Sequence, residues 1–353
     1  IKEGQIMQTK LLRPSEEPAA IEEAGALLRA GEVVGIPTET VYGLAADALN
    51  PQAVKRIFEA KGRPQDNPLI VHIADLSMVR EIATEFPPEA QKLADAFWPG
   101  PLTIILPKQD KIPMVTSGGL DTVGIRFPVH PMAQAIIRAA GVPLAAPSAN
   151  TSGRPSTTTA QHVMEDLHGK IAAVVDGGPC SVGVESTVVS LCGERPRLLR
   201  PGGISLEQLQ SVLGEVDVDR ALKEKIDDSE KVSAPGMKYR HYAPKAPVTV
   251  VFGTPEASAQ YIAQRLGQHT GVLCFDDCAQ LFCGKAVVET FGPSDDEAQQ
   301  AREVFDALRR FDDTDCTEIF AQCPPSRGIG LAVANRIKKA AGFHVIDLTE
   351  EQA

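Results

Sequence analysis

The sequence has no surplus of positive charge, no long apolar run and no cysteine pairing pattern, and each absence removes a class of function. Across 353 residues, 35 Lys and Arg face 46 Asp and Glu, a formal net charge of −11. Residues 245–353 hold 10 of the cations and 16 of the carboxylates, so neither half is a basic body that would grip nucleic acid by bulk charge. Any anion site must be a local cluster of cations. No stretch approaches the roughly 18 apolar residues of a membrane helix. Residues 1–13 lack the basic flank and apolar stretch of a secretory signal. The seven cysteines (Cys180, Cys192, Cys274, Cys278, Cys283, Cys316 and Cys323) are odd in number and include no Cys-x-x-Cys. A disulfide framework is therefore not expected, and a reducing cytoplasm fits better. Cys274, Cys278 and Cys283 are close together, but their spacing is wrong for a zinc knuckle, so no metal site is expected there. A Gly-x-Ser-x-Gly elbow and a Gly-Lys-Ser/Thr phosphate loop are both missing. Serine-nucleophile chemistry is disfavoured, and ATP, if bound, is bound another way.

What remains is an ordinary globular composition, 43% apolar and 23% charged. The length predicts two domains. Helical periodicity is read at 17–30, 51–61, 76–83, 88–97, 131–140 and 159–167. Short apolar runs between them read as strands at 33–36, 69–73, 102–106, 122–127, 144–146, 171–175 and 186–191. The alternation predicts an α/β domain with a mixed sheet, spanning 14–214. Residues 215–247 read as a linker: Asp217 to Lys231 is charge-rich with little periodicity. The stretch from Ser233 to Pro244 is too rich in aromatic and cationic groups for a passive spacer. A second, smaller Rossmann-like α/β domain is predicted over 248–353, with strands at 248–252, 271–275, 286–290, 317–321 and 344–348. Helices at 255–267, 294–310 and 328–341 separate them. Gly328 and Gly330 open the last of these helices, and a tight turn explains that pair better than a nucleotide site.

Ligands of open α/β sheets sit beyond the carboxyl ends of strands. Three polar turns follow apolar strands here: Pro37-Thr38-Glu39-Thr40-Val41-Tyr42-Gly43, Ala146-Pro147-Ser148-Ala149-Asn150 and Asp176-Gly177-Gly178. Each alone reads as a helix cap or a turn; together they could converge on one crevice. Lys61 and Arg63, Arg126 inside an apolar strand, Arg154 and Arg200 lie beside such turns. Arg126 needs an anionic partner, either a structural ion pair or a ligand. Five cations beside turns of an acidic chain suggest a local polyanion pocket. Gly177, Gly178 and Gly183 lie in one loop, where successive N–H groups can form an anion nest. His72 reads by default as a core histidine paired with a backbone carbonyl, with substrate contact as the sharper alternative.

In sequence order, these motifs resemble the YrdC-type threonylcarbamoyl-AMP synthases in their long two-domain form. The matching segments are Pro37 to Leu44, Lys61-Gly62-Arg63-Pro64, Asn67 to His72, Trp98 to Thr103, Ala146 to Asn150, Gly183 to Thr187 and Leu199 to Gly202. Pro235-Gly236-Met237-Lys238-Tyr239-Arg240-His241-Tyr242-Ala243-Pro244 resembles the family's linker, with Ala234 a departure. The resemblance implies a twisted mixed N-terminal sheet with a large cavity and a smaller C-terminal Rossmann-like domain. It implies synthesis of threonylcarbamoyl-AMP and pyrophosphate from L-threonine, bicarbonate and ATP, with Mg²⁺ accompanying ATP. The product would serve threonylcarbamoyladenosine modification of tRNA, with tRNA or a tRNA-modifying transferase complex as a partner. Carried over by motif, Thr40, His72, Arg126, Ala146 (through its backbone) and Ser186 would hold threonine. Lys61, Arg63, Asn67, Thr122, Ser148, Asn150, Ser156 and Arg200 would hold the nucleotide, with His241 and Tyr242 reaching in from a linker that acts as a lid. Lys61, Arg63 and Arg126 would stabilise the reacting anions. The competing reading is an RNA-binding first domain, which the overall acidity and the lack of aromatic–basic interleaving disfavour. An adenylate-forming enzyme for another amine is separated from this reading only by the family match.

Overall fold

The computed structural model describes residues 8–222 and 241–349. The first domain is built on eleven strands of one sheet. In chain order these are β1 (Lys10–Leu12), β2 (Val34–Ile36), β3 (Gly43–Asp47), β4 (Ile70–His72), β5 (Leu102–Pro107), β6 (Thr122–Arg126), β7 (Leu144–Ala145), β8 (Ala173–Val175), β9 (Thr187–Ser190), β10 (Arg197–Arg200) and β11 (Asp217–Val218). Their spatial order is β1-β8-β2-β3-β7-β4-β6-β5-β9-β10-β11. The sheet is mixed: β4 and β6 run parallel, whereas β5 and β6, β2 and β3, and β3 and β7 run antiparallel. This is the mixed α/β sheet the sequence pattern predicts.

Helices α1 (Ala20–Arg29), α2 (Pro51–Lys61), α3 (Val79–Ile82), α4 (Pro88–Phe97), α5 (Pro131–Ala140), α6 (Ala160–Leu167) and α7 (Leu206–Leu213) cover this sheet. Helix α2 carries cavity residues at its end, and its bounds are written in its sequence. Asn50 caps it by accepting from the N–H groups of Gln52 and Ala53, Pro51 occupies the first turn, and Gly62 ends it at φ 62°. The left-handed Gly62 turns the chain sharply between Lys61 and Arg63.

Several elements differ from the sequence expectation. Strands β1, β3, β10 and β11 and helix α7 carry weak local signals. Gly43–Asp47 is poor in β-branched residues and becomes a strand because β2 and β7 flank it, a case of sheet context overriding propensity. Asp217 and Val218, expected in the linker, pair in parallel with Arg197 and Leu198 at the sheet edge. The helix expected over 76–83 divides into a 3₁₀ turn, Leu76–Met78, and α3.

The second domain holds α8 (Pro255–Ala263), α9 (Glu297–Arg310) and α10 (Gly330–Ala340) around five parallel strands. These are β12 (Val248–Phe252), β13 (Thr270–Cys274), β14 (Val287–Thr290), β15 (Glu318–Gln322) and β16 (Val345–Asp347), ordered β14-β13-β15-β12-β16. Placing β15 between β13 and β12 departs from the usual dinucleotide-fold order. The Gly328–Gly330 turn is filled from within the domain, because the Glu297 carboxylate accepts from the Gly330 N–H at 3.0 Å. Its apolar core reaches across the domain boundary to include Val41 and Val184 of the first domain.

Among the described residues no three His, Cys, Asp or Glu are grouped to hold a metal ion, and no helix is long and apolar enough to cross a membrane. All seven cysteines are free.

Candidate active site

Strands β4 and β6 end side by side, and their last residues, His72 and Arg126, are direct neighbours in the ladder. The turns after β2 and β7, the end of α2, and the segment leading into β9 close around them. The result is a cavity of about 720 Å³, its open mouth included. Thr40, Lys61, Arg63, His72, Arg126, Ala146, Ser148, Asn150, Ser186, Arg200, His241 and Tyr242 all line it. Residues more than 200 positions apart in the chain thus share one wall.

At one end of the cavity Arg126 is held rigidly. Its guanidinium donates to the Glu39 carboxylate at 2.6 Å and to the Thr40 hydroxyl at 2.7 Å. The Thr38 hydroxyl donates to the Val41 carbonyl at 2.6 Å, so the Thr40 hydroxyl is the donor in its 2.9 Å contact with Thr38. The Arg126 Nε and the Glu39 Oε2 are buried without hydrogen-bond partners. Of the two alternatives left open for Arg126, the ion pair is present, and the side chain still borders the cavity. Beside it, the His72 Nδ1 lies 3.3 Å from the Ile70 carbonyl. Burial, then the nearby Arg126 charge, pushes the imidazole down to about 3, so it is neutral at physiological pH. Ser186 Oγ lies 2.8 Å from Thr103 Oγ1 and accepts from Arg200 at 3.1 Å.

At the other end the cations crowd together. Burial lowers both Arg63 and Arg200 to about 10, and for Arg63 the neighbouring Arg200 charge lowers it further. Both remain charged, and their mutual repulsion favours any anion that enters between them. Lys61 behaves differently from the expected phosphate contact. Its ammonium donates to the carbonyls of Ser148 and Asn150, the latter at 2.6 Å, and approaches Asn150 Oδ1 at 3.5 Å. Three acceptors use its three protons, so in this arrangement Lys61 holds the 148–150 turn. The Asn150 amide is likewise spent within the turn, on the carbonyls of Thr151 and Arg154.

Three expected nucleotide residues lie outside the cavity wall. Ser156 is fully buried, and its hydroxyl donates to Glu185 at 2.5 Å. Asn67 is buried with its Oδ1 unpartnered. Thr122 stands at the far end of β6 from Arg126, beside a shallow recess over Gly124, Ile105 and Val188. Ile70 borders both the recess and the main cavity, which makes them neighbouring parts of one sheet face.

Sequence reasoning assigned no role to Thr38, Glu39, Thr103 or Glu185. Glu39 and Glu185 lie inside quoted motifs, but a carboxylate in a pocket for anions looks misplaced until its arginine partner is seen. Burial raises the Glu185 carboxyl, and Arg336, Arg200 and Ser156 outweigh that and hold it at about 2. Glu185 is the one carboxylate on the cavity wall among the described residues. Both its oxygens are already engaged, by Ser156 and Arg336. The cavity therefore offers a metal ion no free carboxylate among the described residues.

Of the expected lid, residues 223–240 lie outside the described residues. Tyr242, at its end, is rooted in the second domain: its ring lies 5.1 Å from that of Phe305 and 5.6 Å from the Arg336 guanidinium. Burial, then Glu185, pushes its hydroxyl up to about 12.

A family model described as telomere recombination, covering the Sua5, YciO and YrdC proteins, matches residues 26–202. A second, described as the C-terminal domain of threonylcarbamoyl-AMP synthase, matches residues 204–342. The threonylcarbamoyl-AMP synthase of Bacillus subtilis is 50% identical over 329 residues, covering 92% of this chain and 94% of that protein. The protein of the same name from Pyrococcus abyssi is 46% identical over 344 residues, covering 95% of this chain and 98% of that one. The crystal structure of P. abyssi Sua5 complexed with L-threonine superposes with a TM-score of 0.89 at 45% identity, covering 96% of this chain and 99% of that one.

Proposed function

The chain belongs to the Sua5/YciO/YrdC family, with the C-terminal domain of threonylcarbamoyl-AMP synthases, and on that premise we propose that it makes threonylcarbamoyl-AMP and pyrophosphate from L-threonine, bicarbonate and ATP. The observation that carries this reading is the division of one cavity into an end built around Arg126 and Thr40 and an end crowded with Arg63 and Arg200. Arg126, Thr40, His72 and Ser186 suit the carboxylate and hydroxyl of threonine. Arg63 and Arg200 suit phosphate oxygens. Lys61, which burial and then the Arg63 charge push well below the usual lysine range, fixes the turn of Ser148 and Asn150 beside them.

The reaction joins two anions. The threonine nitrogen attacks the carbon of CO₂ drawn from bicarbonate, forms the N–C bond and gives up a proton. An oxygen of the resulting carbamate attacks the α-phosphorus, and the α–β bridging P–O bond breaks with its electron pair leaving on pyrophosphate. Positioning and charge cancellation are the main requirements. The wall fits this demand: it carries cations and hydroxyls, and its carboxylate, Glu185, is locked in hydrogen bonds. Mg²⁺ would arrive with ATP as a substrate component and would supply further charge neutralisation, with no protein carboxylate needed to hold it. The shallow recess beside Thr122, lined by Pro68, Ile70, Ile105, Gly124 and Val188, is the apolar surface we assign to the base. The product is a mixed anhydride that hydrolyses in water, so a cover is needed, and His241 and Tyr242 stand where the lid would close. We assign the product to threonylcarbamoyladenosine modification of tRNA in the cytoplasm, the compartment in which seven free cysteines persist.

Pyrophosphate release from ATP and Mg²⁺ tests the reading. Release should require both bicarbonate and L-threonine, fall strongly with serine, and vanish in Arg126→Ala. Release indifferent to threonine would reject it.

A further inference from the structure

Two arginines of the second domain reach into the first and end on neighbouring groups, Arg336 on the Glu185 carboxylate and Arg309 on Asp166 and the carbonyls of Pro155 and Ser156. Arg336, on α10, is fully buried and donates from Nε to Glu185 Oε2 at 2.8 Å. The other oxygen of Glu185 accepts from Ser156 Oγ at 2.5 Å. Arg309, on α9, then donates to the backbone on the far side of Ser156, reaching the Pro155 carbonyl at 2.6 Å and the Ser156 carbonyl at 3.4 Å. Arg309 is itself fixed by Asp166, at 3.0 and 3.1 Å. The chain Arg309–Ser156–Glu185–Arg336 has its ends in one domain and its middle in the other. Glu185 lines the cavity, and Arg336 also lies beneath the Tyr242 ring, a second part of the same wall.

An interface needs no such arrangement to be stable. Desolvating a buried ion pair cancels much of its attraction, and an apolar pair of similar volume often serves as well or better. Here the charges are spent on the cavity wall itself, where Glu185 stands beside Arg200 and must keep a fixed position. Resting on the reading above, we infer that Arg336 is a positioning residue for the nucleotide end of the cavity. Through Glu185 and Ser156 it makes the second domain an integral wall of the active site. The two domains must therefore be docked for ATP to be held correctly, whereas the threonine end, built by Glu39, Thr40 and Arg126, is complete within the first domain.

The test compares the full-length wild type with Arg336→Met, Arg336→Lys and the apolar double variant Arg336→Met/Glu185→Leu. Melting temperature, calorimetric threonine binding, and KM and kcat for ATP are measured for each. Arg336→Met leaves a buried carboxylate unpaired and is expected to lower the melting temperature. The double variant should recover that loss. The KM for ATP should nevertheless rise about tenfold or more in both, with threonine affinity within about twofold of wild type, and Arg336→Lys should recover part of the ATP affinity. A double variant that regains both stability and wild-type KM for ATP would show a merely structural pair and overturn the inference. So would an Arg336→Met enzyme with unchanged KM. Wild-type protein without threonine-dependent pyrophosphate release would reject the functional reading instead, so the two failures are separable.

Discussion

The carboxylate of Glu39 receives the guanidinium of Arg126 at 2.6 Å, with each side chain only 5% exposed. Arg126 therefore presents a preset geometry to the cavity and needs little reordering when it meets a ligand carboxylate. Glu39→Gln keeps the shape and removes the charge. The expected result is a threonine KM raised about tenfold with the KM for ATP nearly unchanged, measured by pyrophosphate release. An unaltered threonine KM would show that Arg126 does not depend on Glu39. Some loss of melting temperature is also expected, since the buried guanidinium loses its ionic partner.

His72 makes stability depend on pH. Its folded value is about 3, below the ordinary value of about 6.5 that the unfolded chain would show. Between those limits the unfolded chain binds the proton and the folded one does not. Stability is therefore whole above about pH 6.5 and falls as the pH drops toward 3, by at most about 1.4 kcal/mol per pH unit. Denaturant titrations at pH 7.5, 5.5 and 4.5 should show a shallower acid decline in His72→Gln than in wild type. Parallel declines would contradict the burial of a neutral imidazole.

Gly124 lies close against its neighbours on the sheet face. A Cβ there would stand 3.1 Å from the Thr103 Cγ2 and 3.5 Å from the Ile70 Cγ1. A larger side chain would fill the recess assigned to the base. Gly124→Val is expected to raise the KM for ATP at least tenfold while calorimetric threonine binding persists. Normal ATP use in a folded variant would move the base elsewhere.

Gly183 lies where the two domains touch. It has φ +87°, and a Cβ would come within 2.3 Å of the Ala301 carbonyl oxygen and the Arg302 Cα on α9. Gly183→Ala therefore meets both a left-handed backbone and a backbone clash. It should cost at least about 2 kcal/mol, read as a lowered melting temperature, and should reduce ATP use by forcing α9 away. A variant with wild-type melting behaviour would show that the interface yields easily.

The sequence made much of this site legible through its turns. Thr40, Ser148, Asn150 and Ser186 sit in motifs just after or before apolar strands, and Lys61 and Arg63 flank a glycine that ends a well-capped helix. Such features are local, so spacing and residue type reveal them. The strand Gly43–Asp47 was not legible, because its five residues have no strong preference and become extended only between β2 and β7. Asp217 and Val218 were hidden in a charged run for the same reason. The tasks of Glu39 and Glu185 stayed invisible because a carboxylate's role depends on which cation faces it. A cation-rich buried face on α10 was the available hint of Arg336.

The order of apolar runs and polar turns, together with the family motifs, determined by itself the α/β class, the two-domain plan and most of the cavity's residues. Those properties follow from periodicity and local chemistry, which a chain carries along its length. Only the tertiary structure decided that Lys61 spends its protons on a turn, that Arg126 is held by Glu39, and that Arg309 and Arg336 cross from the second domain to hold Ser156 and Glu185. These outcomes depend on distances of about 3 Å between residues up to 153 positions apart. Hydrogen bonding and charge pairing decay over such short lengths that only the folded chain can choose the partners.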